Sequence, residues 1–147
     1  MLCPRDPTEI VPMSDTLRPA VSLPTDQELV LKVVPMPADV NANGDIFGGW
    51  VMAQVDIAGS VLPARVVRGR MATVAVNEFI FKQPVRVGDI LSFFSRVVRL
   101  GNTSITVSVE VFAERWNEQG QYVKVTQATL TYVAIDKDGK PRVIPKD

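Results

Sequence analysis

Histidine is absent from this chain of 147 residues, and cysteine occurs once, at Cys3. Without an imidazole there is no Ser-His-Asp or Cys-His catalysis, and the donor set of most zinc sites is missing. A lone cysteine forms no internal disulfide, and within a proline-rich leader it is a poor nucleophile. Charge of one sign is also missing: 16 basic residues face 16 acidic ones, so no whole-molecule field exists to hold nucleic acid or an anionic membrane. No apolar run approaches the ~20 residues of a membrane span, and the N-terminus lacks the charged-then-apolar order of a signal peptide. Together these absences predict a cytoplasmic protein with no nucleic-acid partner, no membrane and no metal. Its chemistry must come from carboxylates, amides and backbone groups.

What remains is enough for one globular domain, with 46% hydrophobic and 22% charged residues. Residues 1–26 carry Pro4, Pro7, Pro12, Pro19 and Pro24 without sustained periodicity and read as a disordered leader, in which Met13 looks like an alternative start. Residues 27–147 are expected to form the single domain. A β-rich run over 28–34 ends at Pro35 and Pro37, which exclude a helix there. Gly48 and Gly49 then open a helix in which Val51, Val55, Ala58 and Leu62 recur at helical spacing, with Pro63 marking its weakening or end. From Arg70 onward the runs 73–81, 90–100, 103–116 and 122–136, separated by turn chemistry, predict an antiparallel meander. Within 103–112, Ile105, Val107, Val109 and Val111 alternate with Ser and Thr, so one face should be covered and one polar. The helix is too apolar for a solvated surface, and an α+β fold with the sheet wrapped around it follows.

Asn41-Ala-Asn43-Gly44-Asp45-Ile46-Phe47-Gly48-Gly49-Trp50 is the most informative stretch, because the apolar helix behind it holds one carboxylate, Asp56. Spaced from Asp39, it matches half of a calcium loop, but the twelfth position is Trp50 where a bidentate Glu is required. A purely structural reading makes the Asn and Gly residues turn formers and has a hydroxyl such as Ser60 satisfy Asp56. Gly49, Met52, Ala53, Gly59 and Ser60 share the Asp56 side of the helix, however, and they are mostly small, which clears space around the carboxylate. In a catalytic reading, the unpaired N–H groups of Gly48 and Gly49 await a developing oxyanion while Asp56 serves as general base or nucleophile.

The pattern Asn41-x-x-Gly44-x-x-x-Gly48-Gly49-x-x-x-x-x-x-Asp56 resembles the signature of hotdog-fold acyl-CoA thioester hydrolases, and 41–50 is similar to the bacterial YciA-like subgroup. The likeness extends over roughly 28–145, including 70–76, Pro84-x-x-x-Gly88-Asp89 and 131–136. It implies a hotdog fold, with a five-stranded antiparallel sheet wrapped around one long central helix, and hydrolysis of acyl-CoA to free CoA and a carboxylic acid. By the same resemblance Asp56 matches the catalytic carboxylate, Asn41 the asparagine paired with it, and Gly49, with Gly48 beside it, the N–H that polarises the thioester carbonyl. Coenzyme A is then a substrate moiety and no cofactor is required. The family's sites lie between subunits, which implies a homodimer in which Asp56 faces Asn41 and Gly49 of the neighbour, with a hexamer built as a trimer of dimers.

Phe47 stands where many hotdog thioesterases place His, a feature shared with the closest subgroup. Gln83 occupies the position before Pro84 where that subgroup often has a basic residue, and Lys82 precedes it as the candidate for CoA. Arg65, Arg68, Arg70, Arg86, Arg96 and Arg99 are the other cations available to the CoA phosphates, and Arg68 and Arg70 are favoured because they flank Gly69 between helix and strand. Phe47, Trp50 and Met52 are further expected binding residues, and Phe79 and Phe81 could line an acyl channel. Two other functions fit the same motif. One is a non-catalytic acyl-CoA binding or sensing module. The other is a hotdog hydroxyacyl-thioester dehydratase, weakened because that chemistry typically divides acid and base roles between a His and a carboxylate.

Overall fold

The computed structural model describes residues 21–146. Strand β1 (Glu28–Val33) is followed by a 3-10 turn (Pro37–Asp39), helices α1 (Gly48–Gly59) and α2 (Val61–Val67), and strands β2 (Met71–Phe81), β3 (Ile90–Leu100), β4 (Ser104–Glu114) and β5 (Tyr122–Ala134). The strands form one five-stranded antiparallel sheet in the order β1-β3-β4-β5-β2. Both helices lie over its central strands β3 and β4, which gives the α+β hotdog arrangement.

Alternation puts the core between helix and sheet. Ile105, Val107, Val109 and Val111 of β4 point inward and are fully buried, whereas Thr106, Ser108 and Glu110 on the other face are only partly covered. Against the inward face α1 sets Val51, Val55 and Ala58, and β3 and β5 add Leu91, Phe93, Leu130 and Tyr132. Each fully buried aliphatic side chain here contributes about 1.5–3 kcal/mol of hydrophobic stabilisation.

Two expectations are corrected. The strands are not a simple meander: β3, β4 and β5 follow one another, but β2 pairs with β5 at one edge, and 82–89 is a crossover instead of a hairpin turn. The crossover is pinned where the Ile46 N–H donates to the Val85 carbonyl at 2.8 Å, with Val85 itself buried. The helix also continues beyond Pro63 to Val67, with its break at Ser60. Proline is tolerated in the first turn of α2, but its ring crowds the carbonyl four residues earlier, at Gly59, and its missing N–H leaves that carbonyl unpaired.

Residues 1–20, and with them the reading of Met13 as a start, lie outside the described residues. The described remainder of the leader, 21–26, has neither helix nor strand. Val21, Ser22, Pro24 and Asp26 flank the outer face of the sheet, around a cavity of about 460 Å³ shared with Arg96 and Glu110. Among the described residues no helix is long and apolar enough to cross a membrane.

Candidate functional site

Asp56 follows the buried Val55 by one position on α1, so it stands partly buried at the margin of the core. Its carboxylate is anchored on one side only. Thr73 Oγ1 donates to Asp56 Oδ1 at 2.8 Å, and the Tyr132 hydroxyl lies 3.0 Å from the same oxygen and 2.8 Å from the Asp56 main-chain carbonyl. Thr73 and Tyr132 are directly paired residues of β2 and β5, so the register of the sheet's edge delivers both hydroxyls to one atom. Oδ2 accepts no hydrogen bond among the described residues. Ser60 is not the partner, because its hydroxyl donates to the Ile57 carbonyl at 2.6 Å.

Gly59 explains how a tyrosine reaches this point. A Cβ at Gly59 would stand 2.7 Å from the Tyr132 hydroxyl, so only glycine leaves room for it. Burial pushes the Tyr132 phenol well above its usual range, and the hydrogen bond to Asp56 pushes it further, while the Thr73 hydroxyl opposes the shift. Tyr132 is therefore a permanent donor to Asp56 and not a base. Neither Thr73 nor Tyr132 stood out in the sequence, where the only trace of this contact was the glycine on the Asp56 side of the helix.

The other half of the site is the loop before α1. Asn41 Oδ1 accepts from the N–H groups of Asn43 at 2.9 Å and Asp45 at 3.2 Å, and the Asn41 N–H donates to the Asp45 carbonyl at 2.7 Å. This closes a tight turn in which Gly44 adopts φ +84°, a conformation that favours glycine. Phe47 caps α1 without a side-chain hydrogen bond, and the N–H groups of Gly48 and Gly49 have no acceptor among the described residues. Around Gly49 nothing lies within 4 Å of where a Cβ would be, whereas Gly48 sits under the Phe81 ring at 3.4 Å.

Asn41, Gly48, Phe81, Lys82 and Gln83 line one cavity of about 330 Å³. Asp56 does not line it, because the seven steps from Gly49 to Asp56 place it about 10 Å further along the helix axis. Phe47 and Met52 are exposed, Trp50 packs against the core, and the rings of Phe79 and Phe81 lie 5.0 Å apart. Arg68 and Arg70 stand at the opposite end of the helix pair. Arg68 closes α2 in a left-handed conformation, φ +50°, with its N–H on the Ala64 carbonyl. Arg70 Nη1 donates to the carbonyls of Asp136 and Lys137 at 3.3 and 3.0 Å. Of the cations expected to meet CoA, Lys82 alone lies beside the helix N-terminus.

Comparison with known proteins agrees with this fold. A family model described as the thioesterase superfamily matches residues 43–118. An acyl-CoA thioester hydrolase, YciA, of Salmonella typhimurium is 48% identical over 120 residues, which is 80% of this chain and 90% of that protein. Among solved structures, a hexameric thioesterase from Yersinia pestis superposes with a TM-score of 0.79 at 46% identity, covering 85% of this chain and 100% of that one. A hexameric hotdog fold thioesterase of Campylobacter jejuni superposes with a TM-score of 0.75 at 43% identity, covering 80% and 90%. Sharing nearly half its residues with a relative over four-fifths of its length, and matching the family model over just more than half of it, the chain belongs to the thioesterase superfamily.

Proposed function

We propose that this chain hydrolyses acyl-CoA thioesters, with Asp56 as the catalytic carboxylate and the Gly49 N–H, assisted by Gly48, as the oxyanion donor. The observation that carries the reading is the asymmetric anchoring of Asp56: Oδ1 is held by Thr73 and Tyr132, and Oδ2 is open. Oδ2 takes a proton from water as the water oxygen bonds to the thioester carbonyl carbon. The negative charge on the carbonyl oxygen is met by the helix N-terminal N–H and the positive end of the helix dipole. Collapse of the intermediate expels the CoA thiolate, which takes up the proton, and leaves a carboxylic acid. Coenzyme A enters and leaves as part of the substrate, so the reaction needs no cofactor.

One protomer does not bring these groups together. A reacting carbonyl must lie about 3 Å from both donor and base, and Gly49 and Asp56 of one chain are about 10 Å apart along α1. The reading therefore requires a homodimer in which Asp56 meets Asn41 and Gly49 of the partner subunit. Support comes from exposed apolar residues, Met52 and Ile57 on the helix that carries Asp56 and Val76 on the edge strand β2. The hexameric relatives suggest three such dimers in the working assembly.

The test is release of free thiol from a panel of acyl-CoA chain lengths, with wild type beside Asp56→Ala and Asp56→Asn. Turnover should fall at least about a hundredfold in both variants, the usual contribution of a general base, while circular dichroism stays unchanged. Tight acyl-CoA binding without thiol release by wild type would make the protein a sensor. Hydration or dehydration of a hydroxyacyl thioester would make it a dehydratase.

A further inference from the structure

We infer that a second cavity, framed by Arg86 and Trp116, binds the adenosine phosphate end of the CoA substrate. The inference rests on the thioesterase reading and assigns a place to the part of the ligand furthest from the reacting carbonyl. The cavity holds about 390 Å³ and is lined by Arg86, Trp116, Asn117, Glu118 and Gln83, among others. Gln83 also lines the cavity at the helix N-terminus, so the two are joined through the crossover segment. A ligand threaded along both meets the Gly48 end of α1 first, then Lys82, then Arg86 and the indole. That is the order of a thioester, its polar arm, its phosphates and its base.

Trp116 is not a residue of the core. It is 67% exposed, whereas Trp50, the chain's other tryptophan, packs on the core. The base of its side chain nevertheless meets the crossover. It rests over Gly88, where a Cβ would come within 3.3 Å of Trp116 Cβ, and Gly88 itself has φ +96°. Next to it Arg115 donates to the buried Asp89 carboxylate through Nη1 and to the Pro84 carbonyl at 2.9 Å through Nη2. Asp89 also accepts the Arg86 N–H at 2.9 Å. The Arg115 charge is thus used in tying the crossover to β4, and both edges of the cavity are fixed by one ion pair whose carboxylate is buried.

Arg86 is different. Its main chain is pinned by Asp89, but its guanidinium has no partner among the described residues. An exposed indole beside an unpaired guanidinium suits a planar base with a phosphate attached: stacking on the ring supplies attraction without sequence or shape demands, and Arg86 takes the phosphate oxygens. Asn117 and Glu118 on the rim offer acceptors for an exocyclic amino group. An acyl chain has no use for this polar, water-facing cavity.

The experiment compares an acyl-CoA with the same acyl group on N-acetylcysteamine, which lacks the nucleotide, for wild type, Trp116→Ala and Arg86→Ala. Each substitution should raise KM for the acyl-CoA about tenfold, the equivalent of one lost stacking or phosphate contact. Kinetics on the truncated thioester should not change. Adenosine 3′,5′-bisphosphate should bind wild type in calorimetry and bind both variants about tenfold more weakly. Equal KM shifts on the two substrates, an unshifted KM for acyl-CoA, or loss of assembly by native mass spectrometry in Trp116→Ala would each overturn the assignment. Because the calorimetry needs no turnover, a protein that hydrolyses neither substrate would refute the thioesterase and still decide the nucleotide site.

Discussion

The Tyr132 hydroxyl reaches Asp56 at two atoms, the main-chain carbonyl and carboxylate Oδ1, and thereby fixes the position of the helix turn and the direction of its carboxylate together. Thr73 donates to that same Oδ1. Neither hydroxyl touches Oδ2, so on the proposed mechanism both residues position Asp56 without taking part in the proton transfer. Tyr132→Phe and Thr73→Val should each lower kcat about ten- to a hundredfold, from the ~1.5–3 kcal/mol of a hydrogen bond to a charged group. KM should stay within about twofold. Since both act on one oxygen, the double variant should lose less than the product of the two single losses, which a double-mutant cycle in kcat measures directly.

The raised Tyr132 phenol also has a consequence for stability. An unfolded tyrosine ionises near pH ~10, whereas the buried one, donating to Asp56, holds its proton above that. A proton retained by the folded state and released by the unfolded one makes stability fall as pH rises, so the contribution of Tyr132 is fully present below about pH 10 and declines above it. Urea midpoints at about pH 8 and about pH 11 should therefore differ more for wild type than for Tyr132→Phe. An equal alkaline loss in the two proteins would mean that the phenol ionises as readily folded as unfolded.

Gly59 can be tested without touching the carboxylate. Its missing Cβ is the space that the Tyr132 hydroxyl fills, with 2.7 Å between the two positions. Alanine elsewhere in a helix interior would stabilise by about 0.5–1 kcal/mol relative to glycine, but here it should destabilise by about 1–3 kcal/mol through overpacking and reduce kcat by pushing Tyr132 off Asp56. Adding Tyr132→Phe removes the colliding oxygen and should restore much of the stability but none of the turnover. Chemical denaturation of the three variants separates collision from simple helix propensity.

Local features of the fold were legible in the sequence, and features that depend on pairing were not. The run 90–100 coincides with β3, and the alternation of Ile105, Val107, Val109 and Val111 assigned the covered face of β4 correctly, because period-two burial leaves its mark residue by residue. The placement of β2 was hidden. Turn residues over 84–89 suit a hairpin and a crossover equally, and the choice depends on β5, some fifty residues away. Thr73 and Tyr132 were hidden for the same reason: their convergence on Asp56 is a matter of register between distant strands. The helix break was misplaced by three residues because a proline disturbs the carbonyl four positions before it, not its own position. Arg68 and Arg70 drew attention as charges beside a glycine, and the structure places them at the far end of the helix pair, where Arg70 donates to the carbonyls of Asp136 and Lys137.

The arrangement of Gly49 and Asp56 on one straight helix makes the shared site testable by mixing inactive proteins. Asp56→Ala lacks the proposed base, and Asn41→Ala lacks the asparagine assigned to the same proposed site. If each site takes Asp56 from one chain and Asn41 from the other, a mixed dimer contains one site with both residues intact and one with neither. Co-refolding equal amounts of the two variants yields mixed dimers as half the population, so about a quarter of wild-type turnover should return, measured as thiol release per chain. A site contained within one chain predicts no recovery, since every chain in the mixture carries a lesion. The same mixture refolded separately and then combined controls for exchange: activity that appears only slowly would report the rate at which subunits trade partners.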